Sequence, residues 1–345
     1  MKWLCCKRSI MSYKFPYKWL LSDGYPAKGI DYHGLKVFGT FVCGGGSSMG
    51  YKLAGFNHLG GVEIDSPIAD VYKANHHPKY LFHQDIRDFV LRNDLPEELF
   101  HLDLLDGSPP CSSFSMTGNR DKDWGKEKVF KEGQAKQKLD DLFFTYIELA
   151  KKLQPKVIIA ENVKGLLHGN AKVYVKNIIN GFKEAGYNVQ FFLLNSASMG
   201  VPQRRERVFF ICHRKDLKYP KLAFNFNEKA IVFSEISDIL DNKKNITAVY
   251  EKYWDIAKEG KSVGKFHTKR KVAENTVVAT LTANSSDAWH NKYKRPLNTK
   301  ELCFAGSYPL DYNFKKVKPF YLIGMSVPPV MTAQIAHQVY LQWLK

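Results

Sequence analysis

The sequence has 345 residues, 44% of them hydrophobic, and carries 51 Lys and Arg against 34 Asp and Glu, for a formal net charge of +17. This length and apolar content exclude a disordered chain and predict one large domain with a smaller one. No apolar run could span a bilayer and residues 1–17 contain no signal-peptide core, so we expect a cytoplasmic protein that does not associate with membranes. The positive charge indicates a polyanionic partner, although a generally lysine-rich surface would explain it equally.

Cysteine spacing argues against a zinc site or a disulfide framework. None of the six cysteines forms a Cys-x-x-Cys pair. We therefore expect reduced thiols and no bound metal. The cysteines are Cys5, Cys6, Cys43, Cys111, Cys212 and Cys303.

The first part of the chain predicts a nucleotide-binding unit. Residues 1–35 mix aromatic side chains with lysines, and we expect an N-terminal extension that packs on the body. Residues 35–42 predict a strand, and a glycine-rich turn at 43–46 leads into a helix whose N-terminal N–H groups could meet a carboxylate. Residues 59–64 predict a second strand that ends at Glu63. A carboxylate there could accept hydrogen bonds from a ribose, although a solvated glutamate is the simpler interpretation.

The chain is organised around residues 102–115. An apolar run short enough for a buried strand stops at Gly107, two prolines follow, and Cys111 emerges at the carboxyl end. Open α/β sheets bind their ligands at that end of the strands. An inert core cysteine is the commoner fate of a lone thiol. A hydrophilic stretch at 112–138 is long enough to be a functional loop.

Two further segments predict partners for Cys111. Glu161 comes directly after a predicted strand at 156–160, and Gln203-Arg204-Arg205-Glu206-Arg207 directly precedes another at 208–212. An ordinary ion pair at a strand edge is the alternative for the arginines. Helices are predicted at 139–153 and 171–185, and the alternation of strands and helices predicts an α/β fold with a doubly wound, mostly parallel sheet.

The interval from 214 to 307 is irregular and basic. It holds 18 basic and 11 acidic residues, a net +7 in 94 residues, which leaves +10 in the other 251. A basic run is most often a solvated surface. The higher charge density nevertheless leads us to expect part of a nucleic-acid contact here.

These segments stand in the order and spacing of a known family, and over residues 36–345 the sequence resembles the DNA cytosine carbon-5 methyltransferases. Each short motif alone would be weak evidence. The matching segments are Phe41 to Gly46, Glu63 to Asp65, Asp85-Ile86, Pro110-Cys111, Glu161 to Val163, Gln203 to Arg207, Arg295 to Glu301, and Gly324 to Pro328.

The resemblance implies a Rossmann-like, class I domain that uses S-adenosyl-L-methionine and releases S-adenosyl-L-homocysteine. It implies a catalytic domain at 36–213, a target-recognition domain at 214–307 and a C-terminal segment at 308–345 that returns to the catalytic domain. Cys43 stands where the family usually has glycine. The implied cofactor-binding residues are Phe41, Gly45, Gly46, Glu63, Ile64, Asp85, Ile86, Leu142 and Ser326.

The resemblance also implies a reaction. A Cys111 thiolate would add to carbon 6 of a flipped-out cytosine, and Glu161 would hold a proton toward ring nitrogen 3. Arg205 would donate to the carbonyl oxygen of the base, while Arg207 would brace the site. The expected contacts to double-stranded DNA are Ser115, Arg120, Gln203, Lys269, Arg270 and Lys271.

Three alternatives stay open at this point. A branch of the same family methylates transfer RNA, a non-catalytic member could use the cleft only to bind DNA, and a nicotinamide-dependent oxidoreductase could share the glycine turn. We expect a bacterial or phage enzyme that protects DNA from a companion restriction endonuclease acting independently. A monomer is the default expectation.

Overall fold

The computed structural model describes residues 13–110, 142–167, 171–263, 266–283 and 288–345. Its centre is a seven-stranded sheet with the order β3-β2-β1-β4-β5-β8-β6. The strands are β1 (Lys36–Thr40), β2 (Asn57–Glu63), β3 (Tyr80–His83), β4 (Leu104–Gly107), β5 (Val157–Val163), β6 (Tyr187–Asn195) and β8 (Glu206–Arg214), with the short β7 (Gln203–Arg204) outside this sheet.

The sheet is mostly parallel, as predicted. Strands β3, β2, β1, β4 and β5 pair in parallel, whereas β8 is antiparallel to both β5 and β6. The strand order reverses between β1 and β4, where Thr40 pairs with Gly107. A crevice for ligands opens beyond the carboxyl ends of the strands at such a reversal.

Helices cover both faces of the sheet. The core on one face includes Met49 and Val330, and the core on the other includes Phe143 and Phe182. Within the described residues, no helix combines the length and the apolar character that a bilayer span requires. The helices are α1 (Gly46–Leu53), α2 (Ser66–His76), α3 (Ile86–Leu91), α4 (Leu142–Leu153), α5 (Ala171–Glu184), α6 (Ala248–Ile256), α7 (Thr299–Gly306), α8 (Pro319–Met325) and α9 (Pro329–Val339).

The predicted small domain contains α6 and a three-stranded sheet in the order β12-β10-β9. These strands are β9 (Ser262–Val263), β10 (Phe266–Lys271) and β12 (Ala288–Trp289). The strand β11 (Val278–Ala279) instead pairs in parallel with β7, so it joins this region to the segment that precedes β8.

A buried ion pair holds the small domain onto α7. Asn298 caps the helix and accepts a hydrogen bond from the main-chain N–H of Glu301, and Arg295 donates to both carboxylate oxygens of Glu301 at 2.7 and 2.9 Å. Leu302 and Cys303 of the same helix are buried in the core that also contains α9 residues. Helix α7 therefore packs against both the small domain and the main core, although the predicted boundary at 307 assigns it to the small domain.

The described part of the N-terminal extension packs on the body. Phe15 and Trp19 are buried, and the indole N–H of Trp19 donates to the carbonyl of Ser307 at 3.0 Å. The side-chain amide of Gln334 on α9 donates to the carbonyl of Tyr13 at 2.8 Å. These contacts fix the segment across the C-terminal helices.

Candidate active site and cofactor pocket

The glycine turn follows β1 at the reversal of strand order. Cys43 and Gly45 have φ angles of +47° and +74°, in the left-handed region that glycine adopts most easily. A Cβ on Gly45 would lie 2.0 Å from Nε2 of His76, and one on Gly46 would lie 2.2 Å from the carbonyl oxygen of Val327. In this structure these glycines are needed because other parts of the protein pack closely against the turn.

Glu63 ties the glycine turn to the end of β2. Its Oε2 accepts a hydrogen bond from the N–H of Cys43 at 2.8 Å, and its Oε1 accepts from the N–H groups of Ile64 and Asp65 at 2.9 and 3.0 Å. Burial raises the pKa of the Glu63 carboxyl, and the amide donors partly oppose that effect. A carboxylate has about four acceptor positions, so one stays available to a ligand hydroxyl.

Asp85 lies at the same edge of the sheet. It caps α3, where Oδ1 accepts from the N–H of Arg87 at 2.8 Å and Oδ2 from Nη1 of Arg87 at 2.9 Å. Because Glu63 pairs with His83 in the register of β2 and β3, both carboxylates stand beyond neighbouring strand ends. Ile86 follows Asp85 and is buried beneath this edge.

The remaining expected cofactor residues differ in accessibility. Phe41 is partly buried and packs against the core of the second face, whereas Leu142 is 1% exposed and enclosed by that core. The hydroxyl of Ser326 accepts from Tyr308 at 2.5 Å and donates to the carbonyl of Leu322 at 2.8 Å. Ser326 is therefore hydrogen-bonded within the protein, beside the turn at Cys43.

The hydrogen-bond acceptors at this edge of the sheet suit S-adenosylmethionine. Two carboxylates on adjacent strand ends, Glu63 and Asp85, are acceptors for the hydroxyls of a ribose and the amino group of an adenine. Apolar side chains of Ile64 and Ile86 follow each of them in sequence. The residues present therefore fit the cofactor that the sequence predicts.

Glu161 and Arg207 form an ion pair at the carboxyl end of β5. Arg207 pairs with Val163 and Phe209 with Glu161 in the antiparallel register, so the two charged residues are diagonal neighbours on one face. Arg207 Nε lies 2.8 Å from Glu161 Oε1, and the two side chains are 14% and 12% exposed. Burial lowers the pKa of Arg207, while the charge of Glu161 acts in the opposite direction.

Arg205 is buried behind this pair. Its Nη1 donates to the carbonyls of Leu281 and Gly324 at 3.1 and 3.0 Å, and its main-chain N–H donates to Ser196 Oγ at 3.0 Å. Burial and the nearby charge of Arg207 lower the pKa of Arg205 to about 9. Arg205 thus joins the segment after β11 to the C-terminal end of α8.

The expected DNA contact from Gln203 is not available in this structure. Its side chain is 1% exposed, its Oε1 accepts from the N–H of Leu281 at 2.9 Å, and its Nε2 donates to the carbonyl of Ala305 at 3.2 Å. Both ends of the side-chain amide are hydrogen-bonded within the protein. Gln203 therefore links β7 to Leu281 of the small domain and to Ala305 of α7.

The strand end that leads to the predicted nucleophile lies beside β5. The side-chain amide of Asn162 donates to the carbonyl of Pro109 at 3.2 Å, which brings the residue after Glu161 to the residue two before Cys111. Cys111, Ser115 and Arg120 themselves lie outside the described residues.

The basic residues of β10 face in two directions. Lys269 Nζ lies 4.6 Å from the centroid of the Tyr250 ring, and Lys271 Nζ lies 3.6 Å from a ring of Trp254. Arg270, between them, is exposed. The two lysines therefore pack on aromatic rings of α6, and Arg270 is the most exposed of the three.

Comparison with known families identifies the family to which the chain belongs. Residues 35–340 match the model of the family described as C-5 cytosine-specific DNA methylase. The chain belongs to that family. The match extends over both the sheet and the small domain, and it confirms the resemblance that the motifs indicate. Among the described residues, no group of three or more His, Cys, Asp or Glu side chains is placed to hold a metal ion.

Individual relatives of the chain are type II methyltransferases. M.FnuDI of Fusobacterium nucleatum is 37% identical over 212 residues, which cover 60% of this chain and 56% of the relative. M.NgoPII of Neisseria gonorrhoeae is 34% identical over 229 residues, which cover 65% of this chain and 58% of the relative. The chain spans little more than half the length of these two relatives.

A solved structure confirms the predicted fold. The structure of a proposed DNA modification methyltransferase encoded within an E. coli prophage has a TM-score of 0.66 and covers 90% of this chain and 100% of its own. At 20% identity the likeness is one of fold. The two chains therefore share the overall fold.

Sequence reasoning missed one acidic residue of the site. Asp106 on β4 is 6% exposed, and its Oδ1 accepts from the hydroxyl of Tyr51 at 2.9 Å. Burial raises the pKa of Asp106 to about 7, and the charge of Glu161 adds to the increase. A charged residue within an apolar strand five positions before Cys111 was a signal for it.

Proposed function

We propose that this chain transfers a methyl group from S-adenosylmethionine to carbon 5 of a cytosine in duplex DNA. The observation that carries the proposal is the buried Glu161–Arg207 pair beside the strand end that leads to Cys111, in a member of the C-5 DNA methylase family. When bound, S-adenosylmethionine supplies the electrophilic methyl group. Glu63 and Asp85 would hold its ribose and adenine.

In the first step, the Cys111 thiolate forms a bond to carbon 6 and the ring electrons become available at carbon 5. Negative charge moves toward ring nitrogen 3, where a proton held by Glu161 would stabilise it. After methyl transfer, a base removes the proton from carbon 5 and the thiolate leaves carbon 6. The cytosine must leave the duplex for these steps, because its carbon 6 is inaccessible in the stack.

The contacts of the two arginines favour a division of roles opposite to the one we expected. Arg205 has its Nη1 engaged by two main-chain carbonyls and is enclosed by the protein. Arg207 lies at Glu161, which is the residue assigned to the base. We therefore assign the hydrogen bond to the carbonyl oxygen of the cytosine to Arg207 and the bracing role to Arg205.

The biological setting is also a proposal. Type II methyltransferases are relatives of this chain, and restriction–modification protection of bacterial or phage DNA in the cytoplasm is the setting that their names support. A companion endonuclease would recognise the same sequence independently. We propose that the chain acts as a monomer on double-stranded DNA.

Mass spectrometry of duplex DNA tests the activity. The purified chain is incubated with S-adenosylmethionine and mixed-sequence DNA, beside a Cys111→Ser variant, and 5-methylcytosine is scored. We expect 5-methylcytosine from the unaltered chain alone. Methylation of transfer RNA with none of DNA would assign the substrate to RNA. If neither is methylated, the chain would be a non-catalytic member that only binds DNA.

A further inference from the structure

A second cavity lies away from the cofactor edge, at the amino end of β2. It has a volume of about 380 Å³. Strand β2 separates it from Glu63 by six residues, or roughly 20 Å. Its walls come from the N-terminal segment, the end of α1, the start of β2 and the end of α2. They comprise Tyr25, Tyr32, Lys52, Phe56, Asn57, His58, Leu59, His76, His77, Lys79 and Glu98.

Lys52 gives this cavity a partly buried positive charge. Its ammonium group donates to the main-chain carbonyl of His76 at 3.1 Å and lies 5.4 Å from the centroid of the Tyr25 ring. No carboxylate of the described residues lies within ion-pair distance of it. Burial lowers the pKa of Lys52 to about 8, as expected for a cation that lacks a counter-ion.

Two buried imidazoles share the cavity wall with Lys52. His58 is 7% exposed and His76 is 6% exposed, and among the described residues Nε2 of His58 and Nδ1 of His76 have no hydrogen-bond partner. The hydroxyl of Tyr25 is also unpartnered. Burial lowers the pKa of both histidines, and the charge of Lys52 lowers each further.

The charges around Lys52 are unbalanced. The Lys79–Glu98 ion pair at the rim is neutral overall, and Tyr72 and Tyr25 are uncharged at neutral pH. His77 stands at the rim as well. The cavity wall thus carries one uncompensated ammonium group, at Lys52, and the unpartnered hydroxyl of Tyr25 as a hydrogen-bond donor, a combination that an anion with several oxygen atoms would satisfy.

We propose that this cavity binds a small oxyanion of the phosphate class, with Lys52 as its charge partner. Asn57 and the unpartnered Tyr25 hydroxyl supply further donors from the walls. The cavity volume exceeds that of inorganic phosphate, so it has room for an organic group attached to the phosphate. The aromatic side chains of Tyr32 and Phe56 in the wall could pack against such a group.

The site is connected to the glycine turn through His76. Nε2 of His76 lies 3.2 Å from the carbonyl oxygen of Gly44, and the ring stacks on Tyr72 with centroids 4.4 Å apart. Tyr72 in turn shares a hydrogen bond of 3.0 Å with Ser48 on α1. An anion that orders Lys52 and His76 therefore acts on the turn that follows β1.

Titration of the complete chain with inorganic phosphate in Hepes tests the site. Calorimetry is expected to give saturable binding, and phosphate at ten times its Kd is expected to raise the Tm by roughly 2 °C. Lys52→Met removes the charge from a partly buried position and should abolish both effects. Lys73→Met is the matched control, because Lys73 is exposed on α2 and outside the cavity. Lys52→Gln repeats the test should the Met variant not fold.

The pH dependence adds a second readout. Affinity for sulfate, an oxyanion of the same geometry whose charge is constant in this range, should fall about tenfold between pH 7 and pH 9, as Lys52 loses its charge. The phosphate could belong to a free ligand or to a DNA backbone. Loss of phosphate binding with unchanged DNA affinity in Lys52→Met indicates a free ligand, and parallel loss of both indicates DNA. Phosphate binding of equal strength in Lys52→Met and the unaltered chain would overturn the proposal, as would no phosphate binding at all.

Discussion

Arg207 Nε lies 2.8 Å from Glu161 Oε1 on adjacent antiparallel strands, and both side chains are largely buried. The register of β5 and β8 fixes this pair, because it places Glu161 opposite Phe209 and therefore diagonal to Arg207. The orientation of the carboxyl group that the proposed reaction needs is therefore set before any substrate arrives.

Replacement of Glu161 by Gln should lower the rate of methyl transfer by about 10²–10³-fold. The amide keeps the shape of the carboxyl group but cannot transfer its proton in the same way. Initial rates with saturating DNA measure the effect. Glu206→Gln is the control, since Glu206 forms a half-exposed pair with Lys164 and should keep nearly full activity.

Replacement of Arg205 and replacement of Arg207 should have different effects on activity and stability. Arg207→Met should abolish methyl transfer even in its folded fraction and should also destabilise the fold, because it leaves the buried Glu161 carboxylate unpaired. Arg205→Met should lower the free energy of unfolding by roughly 2–5 kcal/mol and keep methyl transfer in its folded fraction. The reason is that Arg205→Met leaves the carbonyls of Leu281 and Gly324 without their buried donor. Urea unfolding and rate measurements on both variants separate the roles. An Arg205→Met protein that is fully stable but inactive would return the base contact to Arg205.

Cofactor affinity should depend on Glu63. Glu63→Gln is expected to weaken binding of S-adenosylhomocysteine at least about tenfold, because the amide nitrogen faces the N–H groups of Ile64 and Asp65 or of Cys43. Calorimetry without DNA measures this loss. Asp70→Asn, on an exposed position of α2, should bind as the unaltered chain does. Equal affinity of all three proteins would place the ribose elsewhere.

Asp106 should make stability depend on pH. Its pKa is about 7 in the folded chain against 3.8 ordinarily, so the folded state keeps a proton that the unfolded state loses first. This contribution is complete below pH 4 and is lost as pH rises through 7. Asp106→Asn cannot ionise, so its stability relative to the unaltered chain should rise from pH 4 to pH 8 by on the order of a few kcal/mol. A constant difference between the two urea-unfolding curves across that range would contradict the prediction.

DNA binding should depend on Arg270 more than on its neighbours. Arg270→Ala should weaken binding to all sequences alike and reduce the slope of log K against log salt by about 1. Lys271→Met should act mainly on stability, because Lys271 packs on Trp254. Fluorescence anisotropy at several salt concentrations checks both. An unchanged slope in Arg270→Ala would move the phosphate contact to another part of the surface.

The sequence predicted the elements whose signals are local. The expected strands at 35–42, 59–64 and 156–160 correspond to β1, β2 and β5, and the expected helix at 171–185 corresponds to α5. Apolar alternation and helical periodicity are properties of neighbouring residues, so these elements could be recognised without the fold. The glycine turn and the Glu63 strand end follow for the same reason.

Properties that depend on distant residues could not be predicted in this way. The burial of Gln203 comes from main-chain groups of Leu281 and Ala305, far along the chain. The contacts of Arg205 and Arg207 differ, because Arg205 donates to the carbonyl of Gly324 and Arg207 pairs with Glu161. Both arginines have the same side chain and similar local sequence, so only tertiary contacts distinguish them.

The pairing of β7 with β11 limits which parts of the small domain can be replaced without disturbing the segment that precedes β8. Two residues of the small domain, Val278 and Ala279, complete a ladder with the strand that carries Gln203. A replacement of the small domain must therefore keep this short strand and the carbonyl of Leu281, which accepts a hydrogen bond from Arg205. Changes before residue 278 leave the ladder intact, because within the described residues β7 pairs with β11 alone.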